Sequence, residues 1–418
     1  MEPTVDKPEE LGLSGERLAR IPAFFQDRYV RAGKLPGVLT AVSRRGQLAA
    51  VACTGQRDVA RRAALQTDTI FRIYSMTKPV VSVALMSLYE EGAFQLDDPV
   101  SRFIPAFADL RVWADGNPAT FRTRLPEREM TVRDLLTHTS GRTYGFLYNH
   151  PVDALYRRRG VERANALAPA EADAPAATTA EMVERLAGIP LLSSPGSAWH
   201  YSVSTDVCGR LVEILAGQPL DRVLADRIFG PLGMVDTGFS VPSASAGRLA
   251  ANYACTAASP LHLIDDPATS DYLAPPTFRS GGGGLVSTAA DYLRFCHMLL
   301  GKGALDGVRV LGRKTVEYMT SNHLPEGRDM AAMGQPVFGN TSYEGIGFGL
   351  GFAVVLDPTR SQVINSPGSY NWGGAASTVF WVDPREELVV MLLTQLTPSS
   401  TYPLRQQLQA LAYQALID

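Results

Sequence analysis

The chain has 418 residues, 45% of them hydrophobic and 19% charged, with 39 basic against 42 acidic side chains and a net charge of −3. This composition supports a sizeable core and excludes disorder as the main state, while the charge balance gives no counterion-release drive toward nucleic acid. No run of 18 apolar residues occurs, so no membrane partner is expected, and the acidic, non-apolar start at residues 1–10 predicts a cytoplasmic protein.

In chain order, Ser14 opens a helical pattern carried by Leu18, Ile21, Phe24, Phe25 and Tyr29. Residues 37–43 and 47–54 read as two strands joined by a turn at Arg44-Arg45-Gly46. Residues 80–88 are apolar almost all round, which predicts a helix buried in the middle of the molecule and closed by Gly92. Pro79 is tolerable only near a helix start, which puts Ser75 at the N-terminal end of that helix. Residues 93–280 alternate short helices with Pro- and Gly-rich loops. Thr131-Val132-Arg133-Asp134 and Thr178-Thr179-Ala180-Glu181 both have the spacing of capping boxes. Residues 157–177 lack any period and read as a surface excursion or lid. A helix is expected over 204–216. Strand patterns return at 349–356, 377–382 and 388–394, the last two forming a hairpin, and residues 403–416 read as an amphipathic helix.

Strands at both chain ends predict an α/β protein of the α+β kind, with one antiparallel sheet flanked by helices and a mainly helical subdomain inserted into it. The expected single unit spans 10–415. Its α/β part covers about 10–80 and 285–418, and its helical, loop-rich part about 81–284. Cys53, Cys208, Cys255 and Cys296 are far apart, without metal-ligand spacing, and read as buried reduced thiols.

Several chemistries lack their motif. No G-x-S-x-G or H-E-x-x-H occurs, the six histidines are isolated, and Gly281-Gly282-Gly283-Gly284 has neither P-loop nor dinucleotide spacing. The run reads instead as a flexible or closely packed turn. Ser75-Met76-Thr77-Lys78 is the one S-x-x-K in a chain with only five lysines. At a helix start, residues i and i+3 face the same way, so the amine can serve as base to the hydroxyl if its pKa is lowered. The free N–H groups there also suit a developing oxyanion. Taken alone, the four residues fit an ordinary helix start as well.

Their context is more specific. Leu135-Leu136-Thr137-His138-Thr139-Ser140-Gly141, Tyr201-Ser202-Val203 and Trp372-Gly373-Gly374-Ala375 follow in order. This ordered set resembles the serine β-lactamase and penicillin-binding-protein superfamily, and within it the class C β-lactamase-like esterases known as family VIII carboxylesterases. The resemblance implies a β-lactamase-like fold, Ser75 as nucleophile, and Lys78 with Tyr201 as the base network, the phenol having a lowered pKa beside the ammonium. It further implies an oxyanion hole from the Ser75 and Ala375 N–H groups, and no cofactor or metal. His138 is expected to be structural and Lys314-Thr315 to be a decoy for the third motif.

Two departures bear on substrate. Val203 replaces an asparagine whose amide would hold a peptide-like side chain, and Trp372-Gly373-Gly374 replaces Lys-Thr-Gly, whose cation would bind a carboxylate. A charged contact of that kind is worth about 1.5–3 kcal/mol. Trp372, Gly373, Gly374 and Val203 are therefore the expected substrate-binding residues, in a site suited to neutral acyl or alkyl groups. The expected partner is a small-molecule ester and the expected activity that of a serine carboxylesterase. The alternatives are an acyltransferase using the same serine, or a β-lactamase or D-Ala-D-Ala peptidase.

Overall fold

A computed structural model describes residues 4–162, 174–334 and 343–418. Its main sheet has eight strands: β1 (Gly37–Arg44), β2 (Gln47–Asp58), β3 (Ala63–Ala64), β4 (Ile346–Phe348), β5 (Ala353–Val355), β6 (Tyr370–Gly373), β7 (Val379–Asp383) and β8 (Leu388–Leu393). Their order is β4-β5-β6-β7-β8-β1-β2-β3, with every neighbour antiparallel. The two chain ends meet where β1 pairs with β8, Leu39 opposite Leu393 and Arg44 opposite Leu388. The predicted α+β architecture is the one observed.

Alternation along the strands makes two apolar faces. Leu39 and Ala41 of β1, Phe380 and Val382 of β7, and Met391 and Leu393 of β8 point to the inner face. Val38, Val42, Trp381, Val390 and Leu392 point to the outer one. Ile21 and Phe25 of the N-terminal helix Arg20–Phe25, and Leu408 and Ala412 of the terminal helix Leu404–Tyr413, cover the outer face. Against the inner face pack helix Ala289–Leu300 and, deeper, helix Thr77–Glu90, hereafter the serine helix. Residues Thr77 to Leu88 of the serine helix are all buried, as its all-round apolar pattern predicts.

Some local expectations need correction. Of the strand predicted over 349–356 only Ala353–Val355, β5, forms; Gly351 takes φ +97° in the turn that joins it to β4, which precedes the predicted range. Trp372 and Gly373 lie within a strand, β6, that the sequence pattern did not show. The Thr131 box forms with both hydrogen bonds, Asp134 supplying the carboxylate. At Thr178 only half forms: its hydroxyl accepts the Glu181 N–H at 3.1 Å, while the Glu181 carboxylate accepts from Ala177 at 2.8 Å. Cys208 and Cys296 are buried, but Cys53 and Cys255 are only half-buried. Of the excursion read over 157–177, residues 163–173 lie outside the described part of the chain. Among the described residues no helix is long and apolar enough to cross a membrane.

Candidate active site

Ser75 sits in a 3-10 turn, Tyr74–Met76, that leads straight into the serine helix. Tyr74 adopts φ +43°, a left-handed conformation that costs a non-glycine residue about 1–3 kcal/mol and persists only where its surroundings impose it. Those surroundings are specific. The Asn252 amide donates to the Tyr74 hydroxyl at 2.8 Å, Ile73 N–H donates to Leu285 O at 3.1 Å, and the Tyr292 hydroxyl donates to Met76 O at 2.9 Å. The turn is clamped on both sides of the serine.

Tyr201 and Lys78 converge on the Ser75 hydroxyl. The Tyr201 hydroxyl donates to Ser75 Oγ at 2.5 Å, and Lys78 Nζ donates to the same oxygen at 3.3 Å. Lys78 Nζ also donates to Tyr144 Oη at 2.8 Å and to the Gly282 carbonyl at 2.7 Å. It lies 4.6 Å from the Tyr201 ring centre and 5.1 Å from that of Tyr144. Burial brings the Lys78 pKa down to about 7, although the Asp206 and Glu162 carboxyls pull it upward. The expectation for Tyr201 is reversed. Burial raises its phenol well above the ordinary tyrosine value, and its contacts with Ser75 and Trp372 offset only part of that. The phenol is thus a proton donor, and the unprotonated group available near neutrality is the lysine amine.

Behind Lys78 lies a shell that sequence reasoning did not find. Asp206 Oδ1 accepts from Ser280 Oγ at 2.5 Å and from the Gly282 N–H at 3.0 Å, holding in place the residue whose carbonyl binds Lys78. Glu162 accepts the Gly145 N–H at 3.0 Å, and burial raises its pKa to about 8. Burial raises Asp206 as well. The glycine run is a closely packed turn: a Cβ on Gly282 would fall 2.3 Å from Asp206 Oδ2 and 2.8 Å from Tyr144 Oη. One signal was present in the sequence, an acid at position 206 directly ahead of the apolar residues that helix Ser204–Ala216 buries.

The opposite wall comes from β6 and the turn after it. A Cβ on Gly374 would fall 2.4 Å from the Ile73 carbonyl, so the backbone leading to Ala375 abuts the turn carrying Ser75. The Trp372 ring centre is 5.6 Å from that of Tyr201 and 5.3 Å from that of Phe348, nearly perpendicular to the latter. Ser75, Tyr201, Trp372, Gly373, Gly374 and Ala375 line one cavity of about 150 Å³. Val203 is placed otherwise. It is buried at the start of helix Ser204–Ala216, its N–H donating to Thr143 O at 3.2 Å, behind the cavity rather than in it. Trp372 stands where the third motif's lysine would, yet the cavity does contain a cation, because Arg405 of the terminal helix lines it.

His138 packs against Tyr201 with the rings tilted and their centres 5.3 Å apart, and its Nδ1 pairs with Ser202 Oγ at 3.1 Å, not with Ser75. Lys314 is an exposed helix residue paired with Glu317 at 2.8 Å, remote in role as the helical pattern around it predicts. The described residues hold no cluster of His, Cys, Asp and Glu suited to a metal ion.

Sheet, covering helices and the serine-lysine pair at the start of the central helix together define a serine enzyme on a β-lactamase-like scaffold. The family model described as Beta-lactamase matches residues 25–414, and the chain belongs to that family. It is 38% identical to Protein Rv1367c of Mycobacterium tuberculosis over 371 residues, 88% of this chain and 87% of that one. It is 32% identical to Esterase EstB of Burkholderia gladioli over 396 residues, 90% of each chain. Among solved structures it resembles EstCE1, described as a hydrolase with promiscuous acyltransferase activity, with a TM-score of 0.77 at 26% identity, over 95% of this chain and 99% of that one.

Proposed function

We propose that the protein is a serine carboxylesterase that hydrolyses short-chain carboxylic esters through an acyl-enzyme on Ser75. The observation that carries this reading is the convergence on Ser75 Oγ of a phenol at 2.5 Å and of an amine at 3.3 Å whose pKa burial brings to about 7. Lys78 takes the proton as Ser75 Oγ bonds to the ester carbon, and the Ser75 and Ala375 N–H groups receive the negative charge on the carbonyl oxygen. Collapse breaks the bond to the alcohol oxygen, to which the Tyr201 hydroxyl gives its proton, and Lys78 restores that proton to Tyr201. Water then attacks the acyl-enzyme by the same steps with the roles reversed. Likeness to an esterase supports the hydrolytic outcome. The same acyl-enzyme gives acyl transfer when an alcohol replaces water, a second reading favoured by the likeness to EstCE1. Weak β-lactam hydrolysis follows from the shared nucleophile and scaffold.

The test is a panel of p-nitrophenyl esters of increasing acyl length, run beside a chromogenic cephalosporin and with added alcohols. Ester turnover should exceed cephalosporin turnover, fall with acyl length and vanish in Ser75→Ala, which should remain folded. A serine-directed phosphonate should label one site, on the peptide containing Ser75. Labelling elsewhere, or a Ser75→Ala protein as active as wild type, would remove the assignment. Ester products dominated by the added alcohol would make the protein an acyltransferase.

A further inference from the structure

The cavity over Ser75 contains a guanidinium that the mechanism above does not use. Arg405 stands in the first turn of the terminal helix and lines the same cavity as Ser75, Tyr201 and Trp372. It lies along β6: a Cβ on Gly373 would meet Arg405 Nη2 at 2.5 Å, so the absence of a side chain there lets the cation sit beside the strand. The next residue, Gly374, abuts the turn that carries Ser75. Cation and nucleophile therefore flank the same short stretch of backbone.

What distinguishes Arg405 is the lack of an anion. Two buried arginines are neutralised: Arg72 pairs with Asp265 at 2.6 Å and Arg44 with Asp418 at 2.5 Å. Arg405 Nη1 reaches only the Asn371 amide oxygen, at 3.4 Å, and among the described residues no carboxylate lies within ion-pair distance. Arg142 is also buried without a carboxylate, but its guanidinium donates to the Leu186 and Ile189 carbonyls and faces the Phe107 ring, away from the cavity. Arg405 is half-buried, and burial lowers its pKa from the ordinary value, with the Tyr343 phenol and the Asn371 amide oxygen offsetting part of that cost and no carboxylate doing so. A planar guanidinium open to a ligand cavity is matched by a carboxylate, which it can grip through two parallel N–H bonds.

We propose that Arg405 is a carboxylate-binding subsite, and that the ester this enzyme is built for carries a carboxylate on its acyl or its alcohol part. The proposal rests on Ser75 being an acyl-enzyme nucleophile. It accommodates Trp372: the indole forms an apolar wall beside the reacting bond, while recognition of charge moves to the terminal helix. The substrate class is then an acidic half-ester, or an ester of a hydroxy acid, rather than a simple alkyl ester.

Two matched pairs of esters test this, with Ser75→Ala protein as the blank for spontaneous hydrolysis. Mono-p-nitrophenyl glutarate against p-nitrophenyl valerate places the charge on the acyl side, and 3-acetoxybenzoate against 3-methylphenyl acetate places it on the leaving group. In one of the two arms the charged ester should have the lower KM and a kcat/KM roughly 10- to 100-fold higher, the scale of a charge-assisted hydrogen bond. That arm identifies which part of the ester bears the carboxylate. In Arg405→Gln the charged-to-neutral ratio should fall by the same factor, mainly through KM, and Arg405→Lys should recover part of it. Preference for the neutral ester in both wild-type arms overturns the proposal, even if Arg405→Gln does not fold. So does a charged-to-neutral ratio that a folded Arg405→Gln leaves unchanged. If neutral esters turn over through Ser75 without any preference for charge, only the role of Arg405 fails. If no ester turns over through Ser75, the esterase reading fails and this proposal fails with it.

Discussion

Lys78 sets the pH dependence of the site. With a pKa brought to about 7, its amine is protonated below that value and cannot accept the Ser75 proton, so kcat/KM should rise with pH through about 7. Asp206 and Glu162 face the same lysine, and Glu162, raised to about 8, ionises over the same range. The measured limb will therefore belong to the cluster rather than to one group. A rising limb centred far higher, in the tyrosine range, would make the Tyr201 phenolate the base and overturn this assignment. Lys78→Ala and Tyr201→Phe should each lower turnover by about 10²–10⁴-fold, the usual scale for a positioned proton-transfer group. Their double variant should lose far less than the product of the two, because residues acting as one unit are not additive. Ser75 and Lys78 were legible because their relation is local, three positions on one helix start. Tyr144 and Gly282 were not, since they reach Lys78 from 66 and 204 residues away in sequence. Arg405 escaped notice for a like reason: only the fold brings the terminal helix alongside β6.

The glycine run 281–284 is the element on which this residue-scale chemistry leans. Gly282 presents its N–H to Asp206 and its carbonyl to Lys78, and the Asp206 carboxylate that accepts the N–H sits against the place a Cβ would take. Gly282→Ala should force Asp206 and Tyr144 aside, costing about 1–3 kcal/mol of stability as overpacking does. Displacing the lysine should also cut ester turnover by about 10- to 100-fold, the effect expected of a shift on the order of 1 Å. Gly283→Ala is the control, because its nearest neighbour, the Tyr74 backbone, would be an ordinary 3.8 Å away. Melting temperature and kcat measured on both variants decide the point, and equal losses in the two would sink it. At this scale the sequence was partly readable. The serine helix was plain from its apolar surface, and the hairpin of β7 and β8 from two apolar runs joined by the turn Asp383-Pro384-Arg385-Glu386-Glu387. Strand β6 was hidden in Ser366-Pro367-Gly368-Ser369-Tyr370-Asn371-Trp372-Gly373-Gly374, whose composition is that of a loop. Pairing of Trp372 with Phe380, a tertiary event, is what makes it a strand.

Across the whole molecule the sheet is closed by both chain ends, and this decides how the protein should unfold. Ser14 N–H donates to Ala415 O at 2.8 Å, and Arg44 of β1 donates to the Leu11 and Gly12 carbonyls at 2.9 Å while pairing with Asp418. The helical middle has no core of its own. Leu39 of β1, Val80 of the serine helix, Leu135 and Leu211 belong to one continuous apolar cluster. A discontinuous sheet sharing its core with the segment inserted into it should melt as one cooperative unit, not as two domains. Leu408→Ala tests this from the far side of the sheet. Leu408 is fully buried on the outer face, so the truncation should cost about 2–5 kcal/mol. The loss should lower a single transition followed equally by helix circular dichroism and by the fluorescence of Trp113 and Trp199 in the middle segment and Trp372 and Trp381 on the sheet. A mutant in which the outer layer melts early while Ser75-dependent esterase activity persists would mean that the sheet's outer face and the catalytic core are separable. The terminal helix would then be free to leave, taking Arg405 with it.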